Sequence, residues 1–406
     1  MTTITPREWL QMNLKGDRQI WWIVALLTVF SLLVVYSASG ANAYKELPEA
    51  SLAKHIVHLF VALLCMWAAH RLDYGYYAKI SRFGLFASIP LLIWARYGGV
   101  EVNEAHRWVS IGGITFQPSD FAKLALIANL ATMLAKRQRI SYKENLVKGL
   151  FYMIGWCAII CGLIGMSNAS NGFLLLVTCF IVMFVGRVPL KYLAGLAITG
   201  SFFLFLGLYV SQERWKTVVN RTDRFVTSWQ TDKVDYQIEQ GYKAMANGGF
   251  FGVGPGKSHQ RNFLPYCYAD FIFPIIIEEW GLLGGVLIIA LFLWLLYRGL
   301  QILSKSDRAL GGLLAAGLSI SLVLQALVNM AVTVELFPTT GLTLPLLSMG
   351  GTSLLFTGIS IGIILSVSRG GVDESKIYEV KYLKSCKKGN TFFFRLYGQL
   401  YFITKN

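Results

Sequence analysis

A single carboxylate, Asp270, stands in an aromatic run between Tyr268 and Phe271. It follows the segment NGGFFGVGPGKSHQRN, in which Gly248, Gly249, Gly252, Gly254 and Gly256 leave the backbone free to bend and to approach a ligand closely. The same segment brings two cations, Lys257 and Arg261, around His259 and Gln260. After Pro274 the chain turns apolar, with Glu278 and Glu279 near the start of that run. A lone carboxylate at a membrane boundary, preceded by a basic flexible loop, suits an anionic substrate carried by a lipid. The competing account is an interfacial turn with an aromatic belt and a solvated Asp.

Two other stretches carry polar groups into apolar surroundings. EVNEAHRWVSIGGITFQPSDFAK places Arg107 before a Gly-Gly turn, then Gln117, Pro118, Ser119, Asp120 and Lys123. Pro118 suits the first position of a helix, and Asp120 suits its positive end. Asp120 and Lys123 are three apart and share a face, so an ion pair accounts for Asp120. Lys123 would lie a turn inside the membrane and should face the bundle interior or a polar cavity. In ELFPTTGLTLPLLSMGGTSLL, Pro338, Gly341, Pro345, Gly350 and Gly351 break the helix repeatedly around Ser348. Irregular backbone at membrane depth is tolerated only against protein or a water-filled cavity.

The elements that position these groups are helices in a bilayer. Of 406 residues 55% are hydrophobic and 15% charged, and the mean hydropathy is +0.52. Ten apolar runs approach the roughly 20 residues that span a bilayer: 20–39, 52–69, 83–97, 121–134, 150–165, 173–185, 193–210, 275–297, 313–334 and 354–367. The expected fold is an all-α polytopic membrane protein with about ten transmembrane helices and a large extracytoplasmic loop, about 211–270, between spans 7 and 8. Residues 1–371 would form the membrane domain and 372–406 a cytoplasmic tail touching headgroups. The sixth and seventh spans are parted by Gly186-Arg187-Val188-Pro189, a tight turn.

Loop cations orient the bundle. Arg71, Lys79, Arg82, Lys136, Arg137, Arg139, Lys143, Lys148, Arg187, Lys191, Arg298, Lys305 and Arg308 fall on one side, against Lys45 and Arg107 in the short loops of the other. This bias puts both termini in the cytoplasm. It also accounts for the net charge of +15 without nucleic acid as a partner. In the long loop, Arg214, Lys216, Arg221 and Arg224 alternate with Trp215, Phe225 and Trp229, the makeup of an interfacial helix or an anionic-headgroup surface. A further short helix is expected over 234–246. GVGPGKS is not a Walker A loop, because the required glycine is Phe251. The six cysteines give no disulfide framework, and the polar residues before the first span give no cleavable signal.

Taken together, these stretches resemble the SEDS family (shape, elongation, division and sporulation). HRWVSIGGITFQPSDFAKL resembles RW-x-x-x-G-x-x-x-QPSE-x-x-KL, with Asp120 in place of Glu. DYQIEQGYKAMANGGFFGVGPG and YADFIFPIIIEEWG resemble the YQ-x-x-x-x-x-A-x-x-x-GG-x-x-G-x-G loop and the TDF-x-x-x-x-x-x-EE-x-G segment, with Ala269 in place of Thr. FPTTGLTLPLLSMGGTSLL resembles P-x-TG-x-x-LP-x-x-SYGG, with Met349 in place of Tyr. The QPD-x-GT motif between spans 5 and 6 is represented only by MSNASNGF. LPYCYADF and GKSHQRNFLP resemble the division branch more than the elongation branch.

The resemblance implies a peptidoglycan glycosyltransferase of the bacterial cytoplasmic membrane, acting at the division septum. Its substrate would be lipid II, and undecaprenyl diphosphate the leaving group. Asp270 would be the catalytic base. Substrate would be bound by Arg107, Gln117, Ser119, Asp120, Lys123, Lys257, His259, Gln260, Arg261, Glu278, Ser348, Gly350 and Gly351. A divalent cation, magnesium or manganese, would assist, with no organic cofactor. A class B penicillin-binding protein and divisome proteins would be partners. A lipid II flippase and a non-catalytic division scaffold are the alternatives. A transporter would use charges along the whole membrane depth, whereas these gather at one side.

Overall fold

The computed structural model describes residues 14–40, 48–102, 105–111, 114–139, 145–231, 235–264 and 267–387. Helices occupy all ten of the expected positions: α1 (Arg18–Ser39), α2 (Pro48–Arg71), α3 (Tyr74–Tyr97), α4 (Pro118–Arg139), α5 (Asn145–Ser167), α6 (Ala169–Val185), α7 (Leu190–Val210), α10 (Ile272–Lys305), α11 (Ala309–Thr333) and α12 (Thr352–Lys387). Between α7 and α10 lie α8 (Gln212–Thr231) and α9 (Tyr236–Gly248). The chain is a polytopic helical membrane protein. Eight of the ten helices are long and apolar enough to cross a bilayer. The other two have physical reasons to fall short. α6 is apolar but has 17 residues. α4 carries Asp120, Lys123 and Asn129, and is enclosed by protein along most of its length, so it does not need an apolar surface.

Short polar side chains start several helices, each taking an otherwise unpaired first-turn N–H. Asp17 accepts from the Gln19 amide of α1 (2.9 Å), and Asp73 from the Gly75 amide of α3 (2.7 Å). Asn168 accepts from the Asn171 amide of α6 (3.3 Å). Between helices the backbones come close. A Cβ on Gly358 of α12 would lie 2.3 Å from the Ala62 carbonyl of α2. One on Gly207 of α7 would lie 2.6 Å from the Gly162 carbonyl of α5. Small residues permit this approach, which dispersion rewards where lipid offers no hydrophobic drive.

Two features shape the end of the bundle that carries Asp270. A three-stranded antiparallel ribbon, β1 (Val100–Val102), β2 (Ala105–Ile111) and β3 (Ile114–Phe116), joins α3 to α4, where only a turn was expected. It carries Arg107 and Trp108 on β2. Near its start α10 is kinked at Gly281 (φ 69°, ψ −173°). The glycine-rich loop is laid across this kink: Leu282 donates to the Gly249 carbonyl (2.9 Å), and Val253 to that of Glu278 (2.9 Å). A Cβ on Gly281 would sit 2.2 Å from the Phe250 carbonyl, so both the positive φ and the packing require glycine there. The turn at 186–189 is present, with Arg187 at φ 59°. α12 runs on to Lys387, so the expected boundary at 371 falls inside a helix. The expected headgroup-contacting end of the tail, 388–406, lies outside the described residues.

Candidate active site

A cavity of about 490 Å³ opens between the ribbon, α4, α6, α8 and the broken segment before α12. Of the expected residues it takes in Asp270, Arg107, Gln117, Asp120, Lys123, Gly350 and Gly351. Asp270 sits two residues before α10, on a segment pinned from two sides. The Asn329 side-chain amide of α11 donates to the Asp270 carbonyl (2.9 Å) and to that of Leu342 (2.6 Å). The Met349 amide donates to the Tyr268 carbonyl (2.9 Å). The carboxylate is left turned toward the cavity, and its Oδ1 is buried with no hydrogen-bond partner. Burial pushes the Asp270 carboxyl up to about 6, against its own backbone amide and the guanidinium groups of Arg221 and Arg107, which pull it down. Burial and the cations oppose each other here, and burial wins.

The cations that line the cavity each have a fixed anchor. Arg107 Nε donates to the Ser167 carbonyl (3.2 Å), and Arg221 Nη1 to that of Thr339 (2.9 Å). Lys123 Nζ contacts Asp120 Oδ1 at 2.7 Å and Gln325 Oε1 at 3.3 Å. The ion pair and the cavity position therefore coexist, and Lys123 faces the bundle interior as its depth required. Asp120 Oδ2 is buried without a hydrogen-bond partner. Ser119 is buried behind the wall and accepts from Gln117 Nε2 (2.9 Å).

The remaining expected residues do not line this cavity. Glu278 is buried and collects the Ser258 hydroxyl, the His259 amide (3.1 Å) and the Gln260 amide (3.3 Å). A carboxylate placed there holds the loop by its own N–H groups, since a buried charge must be hydrogen-bonded. Arg261 donates to the carbonyls of Ser37 (3.1 Å) and Gly256 (3.2 Å), and Ser37 in turn meets Glu279. Lys257 is exposed outside the cavity. Ser348 is buried, its hydroxyl accepting from the Leu344 amide (2.8 Å). The structure gives the Glu278, Arg261 and Ser348 side chains scaffold contacts, where substrate contact was expected.

Other wall residues were not singled out as substrate contacts. Arg221 had been grouped with a headgroup-facing cluster, yet it reaches the cavity from α8. Asn168 and Asn171, from the weakly matching stretch between α5 and α6, also line it. So do Gln237 and Gln325. A polar side chain inside an apolar span is the signal that could have found Gln325.

Beside this polar cavity lies an apolar groove of about 860 Å³ between α6, α7, α8 and α11, lined by residues such as Phe173, Leu204, Leu208 and Val328. The two share Arg107, Asn168, Thr217, Arg221 and Leu342, so the guanidinium pair stands where the groove meets the polar chamber.

Among the described residues no three His, Cys, Asp or Glu side chains converge to hold a metal ion. The cavity's carboxylates are Asp120, already paired with Lys123, and Asp270. This donor set does not fit a resident metal.

The chain is similar over most of its length to known proteins. The family model FtsW/RodA/SpoVE, described as cell cycle protein, matches residues 17–371. A probable peptidoglycan glycosyltransferase FtsW of Geobacter sp. (strain M18) is 32% identical over 361 residues, covering 87% of this chain and 96% of the relative. Stage V sporulation protein E of Bacillus subtilis (strain 168) is 32% identical over 356 residues, covering 86% and 95%. In fold, the crystal structure of rod shape determining protein RodA from Thermus thermophilus matches with a TM-score of 0.62 at 25% identity, covering 87% of this chain and 97% of that one. A chain of a peptidoglycan synthase complex matches with a TM-score of 0.68 at 23% identity, a likeness of fold. The chain belongs to the FtsW/RodA/SpoVE family.

Proposed function

We propose that this protein is a peptidoglycan glycosyltransferase that polymerises lipid II during septal wall synthesis. The observation that carries the reading is Asp270: a carboxyl raised to about 6 inside a polar chamber, with Arg107 and Arg221 standing where that chamber meets an apolar groove. The groove suits a polyprenyl chain and the chamber suits sugars and a diphosphate.

In this reading a sugar hydroxyl of one lipid-linked unit attacks the anomeric carbon of another. Asp270 Oδ1, which has no internal partner, takes the hydroxyl proton. The new glycosidic C–O bond forms as the bond to the diphosphate breaks, and its electron pair leaves with undecaprenyl diphosphate. Arg107, Arg221 and Lys123 oppose the charge that builds on that diphosphate. Arg107 and Arg221, anchored on the Ser167 and Thr339 carbonyls, need little reorganisation when it appears. Lys123 would exchange part of its contact with Asp120 for phosphate. A magnesium or manganese ion would have to arrive with the diphosphate, and no step is assigned to it.

The loop-charge bias supports a topology with both termini in the cytoplasm and the Asp270 cavity on the outer side of a bacterial cytoplasmic membrane. The family membership supports a class B penicillin-binding protein and other divisome proteins as partners. The test is polymerisation of purified lipid II, with and without such a partner, by wild type and Asp270→Asn. Wild type should make glycan strands and the variant should lose about a hundred- to ten-thousand-fold in rate, the usual contribution of a general base. Wild-type polymerisation by Asp270→Asn would refute the assignment. Loss of polymerisation with intact division would favour a flippase or a scaffold.

A further inference from the structure

α8 has three faces. The inner one, with Thr217, Val218, Arg221 and Thr222, lines the groove or the polar cavity, and Ser228 is buried with its hydroxyl on Glu335 Oε1 (2.6 Å). A second carries the exposed polar side chains Lys216, Asn220, Asp223 and Thr227, spaced as neighbours along one side of a helix. The third is an apolar stripe: Trp215 is 40% exposed, Val219 36% and Val226 46%. Three large apolar groups in a row on a helix that also bears charged groups have no use for water.

The stripe is continuous with an exposed apolar surface of α7. The Trp215 ring packs edge-on against Phe205 of α7 at 5.4 Å. Phe205 is itself 53% exposed, among the exposed Phe202, Leu206, Tyr209 and Val210 at the same end of that helix. α7 is long and apolar enough to span the membrane. Its outward side chains suit acyl chains there, Phe205 also lining the apolar groove, and the α8 stripe extends them. Lys216 and Arg224 are exposed on α8 itself, where anionic headgroups would be met.

We infer that α8 binds the outer leaflet of the bilayer through Trp215, Val219 and Val226, and that this seating holds the Arg221 wall of both cavities in place. The partner is a phospholipid surface, engaged as an interfacial helix engages it, roughly 5–10 Å deep. The bilayer would then be part of the site: the helix that presents Arg221 to Asp270 rests on lipid on one side and on the 335–339 segment on the other. The functional half of this inference rests on the glycosyltransferase reading, whereas the seating does not.

The test uses the full chain in vesicles of phosphatidylglycerol and phosphatidylethanolamine, with its native cysteines replaced. Single cysteines at Val219, Val226, Asn220 and Asp223 are spin-labelled. Labels at 219 and 226 should be open to oxygen and closed to a water-soluble nickel chelate, and labels at 220 and 223 the reverse. Equal nickel access at all four would overturn the inference. Shielding of 219 and 226 that arises only when a class B penicillin-binding protein is added would also overturn it, in favour of a protein partner. Val226→Glu should slow polymerisation several-fold in the same vesicles, while Val226→Leu should match wild type. Equal rates for Glu and wild type would refute the role of seating in holding the site. Because spin-label access does not require the reaction, its failure is separable from failure of the proposed function.

Discussion

As the proposed general base, Asp270 should make its ionisation a measurable part of the rate. Burial is the main cause of its raised carboxyl, to about 6, and Arg221 and Arg107 lower it. A general base works only when deprotonated, so the rate should climb as pH rises through 6 and level off above 7. With a midpoint near 6, about 90% of the carboxyl is ionised at pH 7 and about 10% at pH 5, a roughly tenfold fall in polymerisation. A carboxyl at the ordinary value near 3.8 would lose only about 6% over the same range. Arg221→Gln removes a cation that favours the carboxylate, so the midpoint should move upward, in addition to any loss of diphosphate binding. The assay is initial-rate polymerisation of lipid II from pH 5 to 8, with native folding checked at each pH. A flat profile between pH 5 and 7 in folded protein would refute the burial argument. A downward midpoint in Arg221→Gln would refute the assignment of Arg221 as a neighbouring cation.

Lys123→Met should insert and fold yet lose polymerisation, and Lys123→Arg should rescue it poorly, because the 2.7 Å contact with Asp120 suits a point charge more than a planar fork; near-normal rates in Lys123→Met would leave Lys123 a structural ion-pair partner only. Gly281→Ala should lower thermal stability and slow polymerisation, since its Cβ would meet the Phe250 carbonyl at 2.2 Å and its φ of 69° costs of order 1–3 kcal/mol for a side-chain-bearing residue; a wild-type melting curve would show that the kink relaxes freely. A cysteine at Gln230 should be labelled from outside the cell and one at Gln138 should not, and the opposite pattern would invert the topology.

The amino-acid sequence by itself determined the class, the helices and the catalytic candidate. Apolar runs near twenty residues long leave a backbone no choice in lipid but to satisfy itself as helix, and all ten runs are helices. Proline at position 118 and Asp120 after it placed the start of α4. Asp270 was legible because a carboxylate among aromatics beside a membrane span is costly without a purpose. The division of labour among the other polar residues was decided only by tertiary structure. Lys257, His259, Gln260, Arg261 and Glu278 are as polar and as near Asp270 in sequence as any group in the chain. Yet α10 turns at Gly281 and folds the glycine loop back on itself, so Glu278 is taken up by loop amides and Arg261 by backbone carbonyls. Arg221, Gln325 and the pair Asn168 and Asn171 come from three distant stretches and reach one cavity because their helices pack around it. Local spacing sets which face of a helix a residue occupies. Which of those faces meet across a bundle depends on close backbone contacts between helices far apart in sequence, as where Gly358 packs on Ala62 and Gly207 on Gly162.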